Sequence, residues 1–407
     1  MGRMNDPAYI GAIALGGIIF SILYWGLGFL RPGTTGITAQ SYGKNNIEEC
    51  YKLLYRSSLI GLGLGLLILA FHKPIGMLCF SFLSGSEHVE TLAYEYYSIR
   101  VLAAPVVISV FALRGWFFGM QDAVSPMILT ICANALNIIF SWYLVMILDM
   151  SVAGVAYGTL AAQYVTFLVA ISIILVKYKS EIIKYMNASI FKAKEMLQFL
   201  SINRDMFIRN LCMILVFSFY TNYSSQIDDD YLAINQMLLQ LFYFMAYAVD
   251  GFAYASESLV GKYLGAQSID KVKTVIKKCL TLGLGFGALF ALGFLISGGS
   301  ILRLMTTNNQ LITDAQPYFI WLALVSLSGA LAFIWDGVYS GATAGKELRD
   351  SMLISTVFFF LVFYVTCNNY PKISIWASMV AFMLSRSIFQ IILYRTKIES
   401  QWSITIN

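Results

Sequence analysis

The chain has 407 residues, of which 58% are hydrophobic and 12% are charged, and its net charge is +5. A soluble domain carries about twice that share of charged residues, so a soluble enzyme, a nucleic-acid-binding protein and a disordered chain are excluded. The sequence contains no CxxC pair, HExxH, GxSxG or glycine-rich phosphate loop. We therefore expect no catalytic residues, no metal site and no cofactor. The composition predicts an all-α polytopic membrane protein.

Eleven apolar stretches are long enough to cross a bilayer as helices, which requires about 20 residues each. In chain order, the predicted spans are 8–30, 53–71, 92–118, 125–148, 152–176, 206–225, 231–256, 279–297, 312–341, 352–367 and 373–394. None of these stretches alternates between polar and apolar residues with a period of two, so the pattern favours helices over a β-barrel.

Lysine and arginine are distributed unevenly among the connections. Of 27 such residues, 21 fall on one side, 4 fall on the other, and Arg100 and Arg386 fall inside spans. Positive residues concentrate on the cytoplasmic side of a membrane. We therefore expect a multi-pass protein of the cytoplasmic (inner) membrane with a cytoplasmic C-terminus and a basic cytoplasmic connection at 181–205. The acidic run at 228–230 falls on the opposite side, and an odd number of spans places the N-terminus outside.

The sequence matches itself, without a gap, at one fixed offset, which aligns Tyr9 with Tyr231. Several pairs of glycines align at this same offset, among them Gly43 with Gly265, Gly61 with Gly283, Gly63 with Gly285, Gly65 with Gly287, Gly115 with Gly337 and Gly119 with Gly341. Small residues at such spacings mark close helix packing, and their shared offset indicates a duplicated unit. The repeat predicts two parallel-repeat helical bundles, an N-terminal lobe at 1–180 and a C-terminal lobe at 206–407.

The two predicted lobes differ by one helix. The second lobe begins with the span at 206–225, and the partner of that span would precede residue 1. The first lobe therefore shows five spans and the second shows six. Because Met1-Gly2-Arg3 stands where a loop between helices would be, we expect that the start codon has been placed late. A fragment and a protein that works with eleven spans are the alternatives.

Several motifs occur across nearly the whole chain. They are Leu30-Arg31-Pro32-Gly33-Thr34-Thr35-Gly36, Arg114-Gly115-Trp116-Phe117-Phe118-Gly119-Met120-Gln121-Asp122, 134–138 (NALNI), 152–159 (VAGVAYGT), 250–261 (DGFAYASESLVG) and Trp335-Asp336-Gly337. With this combination the chain resembles the multidrug and toxic compound extrusion (MATE) family, and within it the DinF-like branch. The resemblance implies twelve helices in two six-helix bundles, of which eleven are visible here. It also implies export of cationic or amphipathic organic compounds, driven by entry of Na⁺ or H⁺.

The chain departs from the family pattern at two places. The first helix of the family usually carries a functional aspartate, and that helix is absent here. The fifth helix usually reads Asn and then Asp four residues later, whereas here Asn137 is followed by Ser141. Neither acidic group of the family's first-lobe cation site is therefore present in this sequence.

Three acidic residues inside or beside the spans are candidates for a cation site. An ionisable side chain at mid-membrane costs roughly 2.5–3.5 kcal/mol, so those that persist usually face a cavity or a partner. Asp250 and Glu257 lie two helical turns apart on one face, and Asp336 has Arg114 as its partner in the repeat. For Asp250 the alternative is a buried structural carboxylate, for Glu257 a structural role, and for Asp336 a salt bridge across the lobes.

Polar residues in two spans are weaker candidates for the cation path. Asn134, Asn137 and Ser141 share one helical face, and Asn235 and Gln236 form a second group. Their side-chain oxygens are suited to a cation path, but interhelical hydrogen bonds explain them equally well.

The arginines inside or beside the spans are expected to be structural. An arginine would repel a cationic drug, so we expect Arg100 and Arg386 to hold helices together. Arg114 is a second structural candidate, because it is the repeat partner of Asp336.

The sequence as a whole predicts a monomeric secondary-active exporter in the lipid bilayer. It would carry small organic, mainly cationic substrates by Na⁺ or H⁺ antiport, with alternating access of the two lobes. A lipid-linked sugar flippase of similar architecture is one alternative, although it would need a strongly basic interior. A degenerate relative that does not transport is another, suggested by the absent helix and by Ser141.

Overall fold

The computed structural model describes residues 8–81, 86–179, 184–185 and 193–399. Helices account for nearly all of these residues, and no strand occurs among them, which confirms the all-α prediction. The chain divides into two compact units, Met1–Phe199 and Leu200–Asn407. Met1-Gly2-Arg3 and residues 181–183 and 186–192 of the predicted connection at 181–205 lie outside the described residues. The part of that connection from Ala193 onwards is helical and continuous with the span that follows.

Consecutive helices build the first unit. They are α1 (Ala8–Leu27), α2 (Leu30–Gly43), α3 (Ile47–Ala70), α4 (His72–Phe80), α5 (Glu87–Arg100), α6 (Ala104–Gly119), α7 (Val124–Met146) and α8 (Ser151–Lys177). The span at 92–118 is interrupted by a 3-10 turn at Val101–Ala103. Pro105 lies in the first turn of α6, and its ring cannot donate a hydrogen bond to the preceding turn. Arg100 consequently lies at a break in the middle of a membrane segment.

The second unit follows a similar plan. They are α9 (Ala193–Ile227), α10 (Asp229–Gly265), α11 (Ile269–Leu302), α12 (Asn309–Ala315), α13 (Phe319–Gly341), α14 (Gly345–Thr366) and α15 (Pro371–Leu393). A 3-10 turn at Gln316–Tyr318 joins α12 to α13, and a π-helical turn at Tyr394–Ile398 follows α15.

Ten helical segments of the described residues are long and apolar enough to cross a membrane, so the protein is a multi-pass membrane protein. These ten correspond to ten of the eleven predicted spans. The remaining predicted span, 206–225, lies within α9. Polar side chains such as Asn210, Thr221 and Asn222 interrupt the apolar run of this helix. The eleventh predicted span is therefore also helical, but its polar residues keep it out of the ten apolar segments.

The sequence repeat is visible in the ends of the helices and in their packing. Both α2 and α10 end at glycines that the repeat aligns, Gly43 and Gly265, and so do α6 and α13, at Gly119 and Gly341. In the first unit α6 packs against α2 and α3, and in the second unit α13 packs against α10 and α11. Likewise, α7 pairs with α8 and α14 pairs with α15. The two units share one internal arrangement, as the duplication inferred from the glycines requires.

Asp122 connects the turn between α6 and α7 to the end of α8. Its carboxylate accepts hydrogen bonds from Ser125 Oγ at 2.5 Å and from Lys177 Nζ at 2.7 Å. Tyr178 donates to the same oxygen at 3.1 Å. Burial by itself would raise the pKa of Asp122, but the hydrogen bonds from Lys177 and Ser125 outweigh it and hold the pKa below its usual value. The negatively charged carboxylate of Asp122 therefore connects the ends of α6, α7 and α8.

The acidic run at 228–230 begins with Asp228, which lies at the start of α10. Asp228 accepts a hydrogen bond from the backbone N–H of Tyr231 at 2.6 Å and forms an ion pair with Lys372 at 2.8 Å. The hydrogen bonds from Lys372 and Tyr231 lower the pKa of Asp228. The first residues of α10 and α15 consequently lie at the same end of the second unit, as the predicted alternation of connections requires.

Candidate functional site

Asp336 lies at the centre of a buried charged cluster in the second unit. One carboxylate oxygen of Asp336 accepts hydrogen bonds from Arg209 on α9 and from Arg386 on α15. The other oxygen accepts from Gln390 Nε2 at 2.7 Å. Asp336 is 8% exposed, and Arg386 is fully buried. One carboxylate on α13 therefore holds three helices together.

The partners of Asp336 differ from the one that the sequence repeat suggested. The repeat aligned Asp336 with Arg114 and raised an ion pair across the lobes, whereas Arg209 and Arg386 both belong to the second unit with Asp336. A buried charge is tolerated when it is paired and hydrogen-bonded. These surroundings favour a structural role for Asp336.

Soft and aromatic groups surround Arg386. One guanidinium nitrogen of Arg386 lies 3.6 Å from the sulfur of Met213, and the guanidinium carbon lies 5.5 Å from the centre of the Phe333 ring. Arg386 is within electrostatic range of Asp336, Arg209 and Asp250. The cluster therefore combines two acids with two bases, and its formal charge is zero when all four residues are ionised.

Asp250 is the second acid of this cluster and differs from Asp336 in its surroundings. It lies in the middle of α10 and is half-buried. The hydroxyl of Tyr254, one turn further along, lies 3.5 Å from its carboxylate. The structure thus places Asp250 inside an apolar span, beside the Tyr254 hydroxyl and within electrostatic range of Arg386.

Glu257 lies two turns beyond Asp250, where α10 crosses α13. The residue is 2% exposed, and its backbone carbonyl faces Gly341 so closely that a Cβ there would overlap it. Glu257 therefore belongs to a tight contact between helices, which favours the structural interpretation of this residue.

Asn235 is fully buried and joins three helices. Its amide nitrogen donates to Ser224 Oγ on α9 at 2.7 Å, and its amide oxygen accepts from Trp376 Nε1 on α15 at 3.0 Å. The neighbouring Gln236 donates to Thr221 Oγ1 at 3.3 Å. These bonds form an interhelical network, which is the alternative to a cation path for Asn235 and Gln236.

The three polar residues of α7 lie in different surroundings. Asn137 donates to Thr159 Oγ1 on α8 at 2.8 Å. Ser141 packs against Gly158, where a Cβ would lie 2.6 Å from the serine oxygen. Asn134 is exposed on α7. The first two residues therefore serve the α7–α8 contact.

The two structural arginine candidates of the first unit are Arg100 and Arg114. Arg100 donates to the hydroxyl of Tyr96 at 2.8 Å and lies 4.7 Å from the centre of the Phe20 ring on α1. Arg114 is half-buried on α6, next to Gly115. Arg100 thus contacts a second helix.

Two members of the cluster were not identified from the sequence. Arg209 was counted with the basic residues of the cytoplasmic side because it lies near the start of the span at 206–225. Gln390 follows Arg386 by four residues, which places both on one face of α15. The spacing from Arg386 is the only feature of the sequence that points to Gln390 as a member of the cluster. For Arg209, the corresponding feature is its position in the first turn of the predicted span at 206–225.

The family model described as MatE matches residues 1–143 and 206–367 of the chain. The chain is 33% identical over 394 residues to DNA damage-inducible protein F of Escherichia coli (strain K12). This match covers 95% of this chain and 84% of that protein. It is 23% identical over 409 residues to multidrug export protein MepA of Staphylococcus aureus (strain bovine RF122 / ET3-1), covering 97% and 87% of the two chains.

The fold is similar to a crystal structure of MATE in the bent conformation. The TM-score is 0.89, with 18% sequence identity, and the match covers 99% of this chain and 90% of that one. This likeness shows the fold, whereas the family model and the two sequence relatives favour a MATE-type transporter over the lipid-linked sugar flippase.

Proposed function

Since the chain belongs to the MATE family of membrane transporters, we propose that it exports multiple drugs and organic cations across the cytoplasmic (inner) membrane. Export is driven by the entry of Na⁺ or H⁺, with alternating access of the two lobes. The protein works as a monomer with its C-terminus in the cytoplasm.

The observation that carries this proposal is the position of Asp250, an acidic side chain in the middle of an apolar membrane helix. Asp336 is already bound by Arg209 and Arg386, so its negative charge is compensated. Asp250 lies in the middle of an apolar helix, half-buried, with the Tyr254 hydroxyl at 3.5 Å. An intramembrane carboxylate of this kind is suited to accept a proton or a cation. We assign the coupling to Asp250 and a positioning role to Asp336.

The charge of the cluster explains how such a site exchanges one cation for another. With Asp250, Asp336, Arg209 and Arg386 all ionised, the formal charge is zero. A proton, Na⁺ or an organic cation at Asp250 each raises that charge by one. Because they compete for one carboxylate, binding of the coupling ion favours release of the substrate, which is the requirement for antiport.

The test compares Asp250→Asn with the unaltered protein in proteoliposomes. A Na⁺ gradient and a pH gradient are imposed separately, and efflux of ethidium is followed by its fluorescence. We expect Asp250→Asn to abolish gradient-driven efflux while its thermal unfolding temperature stays near that of the unaltered protein. Unchanged efflux would remove Asp250 from the coupling step.

Asp314→Asn provides the matched control. Asp314 is an exposed acid on α12 that accepts hydrogen bonds from Gln310, one turn earlier on the same helix. The same chemical change outside the cluster should leave gradient-driven efflux as it is in the unaltered protein.

A further inference from the structure

Arg100 carries a positive charge at the break between α5 and α6, in the middle of a membrane segment that extends from Glu87 to Gly119. A guanidinium has five N–H donors, and Arg100 uses one of them, in the hydrogen bond to Tyr96. Within the part of the chain that the structure describes, no carboxylate lies at ion-pair distance from Arg100. Its side chain is half-buried, so the remaining donors are accessible.

Aromatic side chains from two helices surround this guanidinium. The Phe20 ring, on α1, lies 4.7 Å from its central carbon, and the Tyr96 ring lies 5.5 Å away. Tyr24, one turn beyond Phe20, has a buried hydroxyl with no hydrogen-bond partner among the described residues, and it lies within electrostatic range of Arg100. The Tyr24 side chain packs against the cluster formed by Ala103, Val106 and Val107.

The corresponding positions of the second unit carry neither the positive charge of Arg100 nor the hydroxyl of Tyr24. The repeat aligns Phe20 and Tyr96 with Phe242 and Tyr318, so the aromatic pair is present in both units. Arg100 and Tyr24 correspond instead to an apolar leucine and an alanine, Leu322 and Ala246. The helices of the second unit pack in the same way without the charge and without the hydroxyl.

The two units also differ in how they compensate a buried arginine. In the second unit, Asp336 neutralises Arg386. In the first unit, aromatic faces attract Arg100 but do not cancel a full charge. An intramembrane cation with unused donors, a buried phenol hydroxyl without a partner and flanking aromatic rings are together complementary to an acidic group on an aromatic molecule.

We propose that Arg100, Tyr96 and Tyr24 bind the carboxylate or sulfonate of an amphipathic aromatic compound at the break between α5 and α6. Substrates would then include organic anions and zwitterions in addition to simple cations. The role of this site in export rests on the proposed function, whereas binding to it does not require a gradient or transport.

The test measures equilibrium binding of three probes of the same shape to the purified full chain in detergent micelles. The probes are 2-naphthoate, neutral 2-naphthol and cationic 2-naphthylmethylammonium, quantified by naphthalene fluorescence after dialysis against protein-free micelles. We expect 2-naphthoate to bind about tenfold more tightly than 2-naphthol, because it forms charge-assisted hydrogen bonds. The cationic probe should bind least tightly at this site.

Three substitutions then locate the binding site. Arg100→Gln should weaken binding of 2-naphthoate about tenfold and leave 2-naphthol unchanged. Arg100→Lys should retain part of the preference for the anion, and Tyr24→Phe should reduce that preference by removing a single hydroxyl. Arg303→Gln, at an exposed arginine after α11, is the control and should bind all three probes as the unaltered protein does.

Two results would overturn the proposal: equal binding of 2-naphthoate and 2-naphthol, or an anion preference that survives Arg100→Gln. If Arg100→Gln fails to fold, Tyr24→Phe decides, and an undiminished anion preference in that variant overturns the assignment. A protein that binds 2-naphthoate through Arg100 but moves no substrate along a gradient would retain this site and lose the proposed function.

Discussion

Gly337 packs directly against the backbone carbonyl of Ala253, where α13 crosses α10, and a Cβ at Gly337 would overlap that oxygen. In the first unit, Gly115 packs in the same way against the backbone carbonyl of Arg31. The repeat that aligns the two glycines also aligns Arg31 with Ala253. The duplication therefore preserved a contact between backbones, which only glycine permits, and this contact sets the distance between the two central helices of each unit.

The first prediction concerns Gly337→Ala. The added methyl group must separate α13 from α10 or distort one of them, and overpacking of this kind costs about 1–3 kcal/mol. We expect a lower thermal unfolding temperature in detergent. Gly285→Ala is the control, because nothing lies within 4 Å of its added Cβ, and alanine favours a helix over glycine by up to about 1 kcal/mol. Equal losses in both variants would contradict the packing argument.

The second prediction concerns the ion pair between Asp336 and Arg386. Removal of one member of a buried pair leaves an uncompensated charge and costs about 3–5 kcal/mol. Asp336→Asn and Arg386→Gln should therefore each lower the unfolding temperature strongly. The double variant should lose less than the sum of the two single losses, because the residues are in contact. Additive losses would show that the two residues do not stabilise each other.

The third prediction separates the structural role of Asn235 from a cation path. Asn235→Ala removes hydrogen bonds to Ser224 and Trp376 and leaves buried groups without partners, at a cost of about 1–3 kcal/mol. Gln236→Ala should cost less, since Gln236 is only half-buried and its bond to Thr221 is long, at 3.3 Å. A loss of gradient-driven efflux in Asn235→Ala without any loss of stability would instead place Asn235 on the cation path.

The fourth prediction concerns how the contacts of Asp122 with Ser125, Lys177 and Tyr178 respond to acid. Because folding lowers the pKa of Asp122, its stabilising effect is complete above the usual value of 3.8 and is lost as the pH falls through the lower folded value. Below that pH, Lys177 should separate from Asp122 and the contact between Trp116 and Tyr178, whose ring centres are 4.9 Å apart, should loosen. Tryptophan fluorescence and unfolding temperature, measured from pH 7 downwards, follow this change.

Asp122→Asn is the comparison for this fourth prediction. The variant cannot lose a proton at this position, so it should be less stable at neutral pH and should lack the acid-dependent step. A step of unchanged size in Asp122→Asn would assign the acid dependence to another group.

The spans and the duplication could be predicted because they depend on local features of the sequence. Apolar runs of about 20 residues identify the spans, and aligned glycines identify the repeat. The ends of the helices were less predictable, since a helix can continue beyond the apolar run that crosses the bilayer. The predicted span at 231–256, for example, is part of α10, which extends from Asp229 to Gly265.

The charged cluster could be predicted only in part, because its partners are distant along the chain. Asp336 was recognised as an unusual charge, but Arg209 lies 127 residues away from it, and nothing in the local sequence connects the two. The repeat suggested Arg114 instead, since it compares equivalent positions and carries no information on contacts within a unit. Likewise, the bond from Trp376 to Asn235 depends on how α10 and α15 pack.

The most direct test of secondary-active export uses the unaltered chain in proteoliposomes loaded with ethidium. A Na⁺ gradient or a pH gradient is imposed, and an ionophore that collapses it provides the control. We predict that ethidium moves against its own gradient under at least one of the two conditions and stops moving when the ionophore is added. Ethidium movement that is the same with and without both gradients would contradict the account and support a degenerate relative that does not transport.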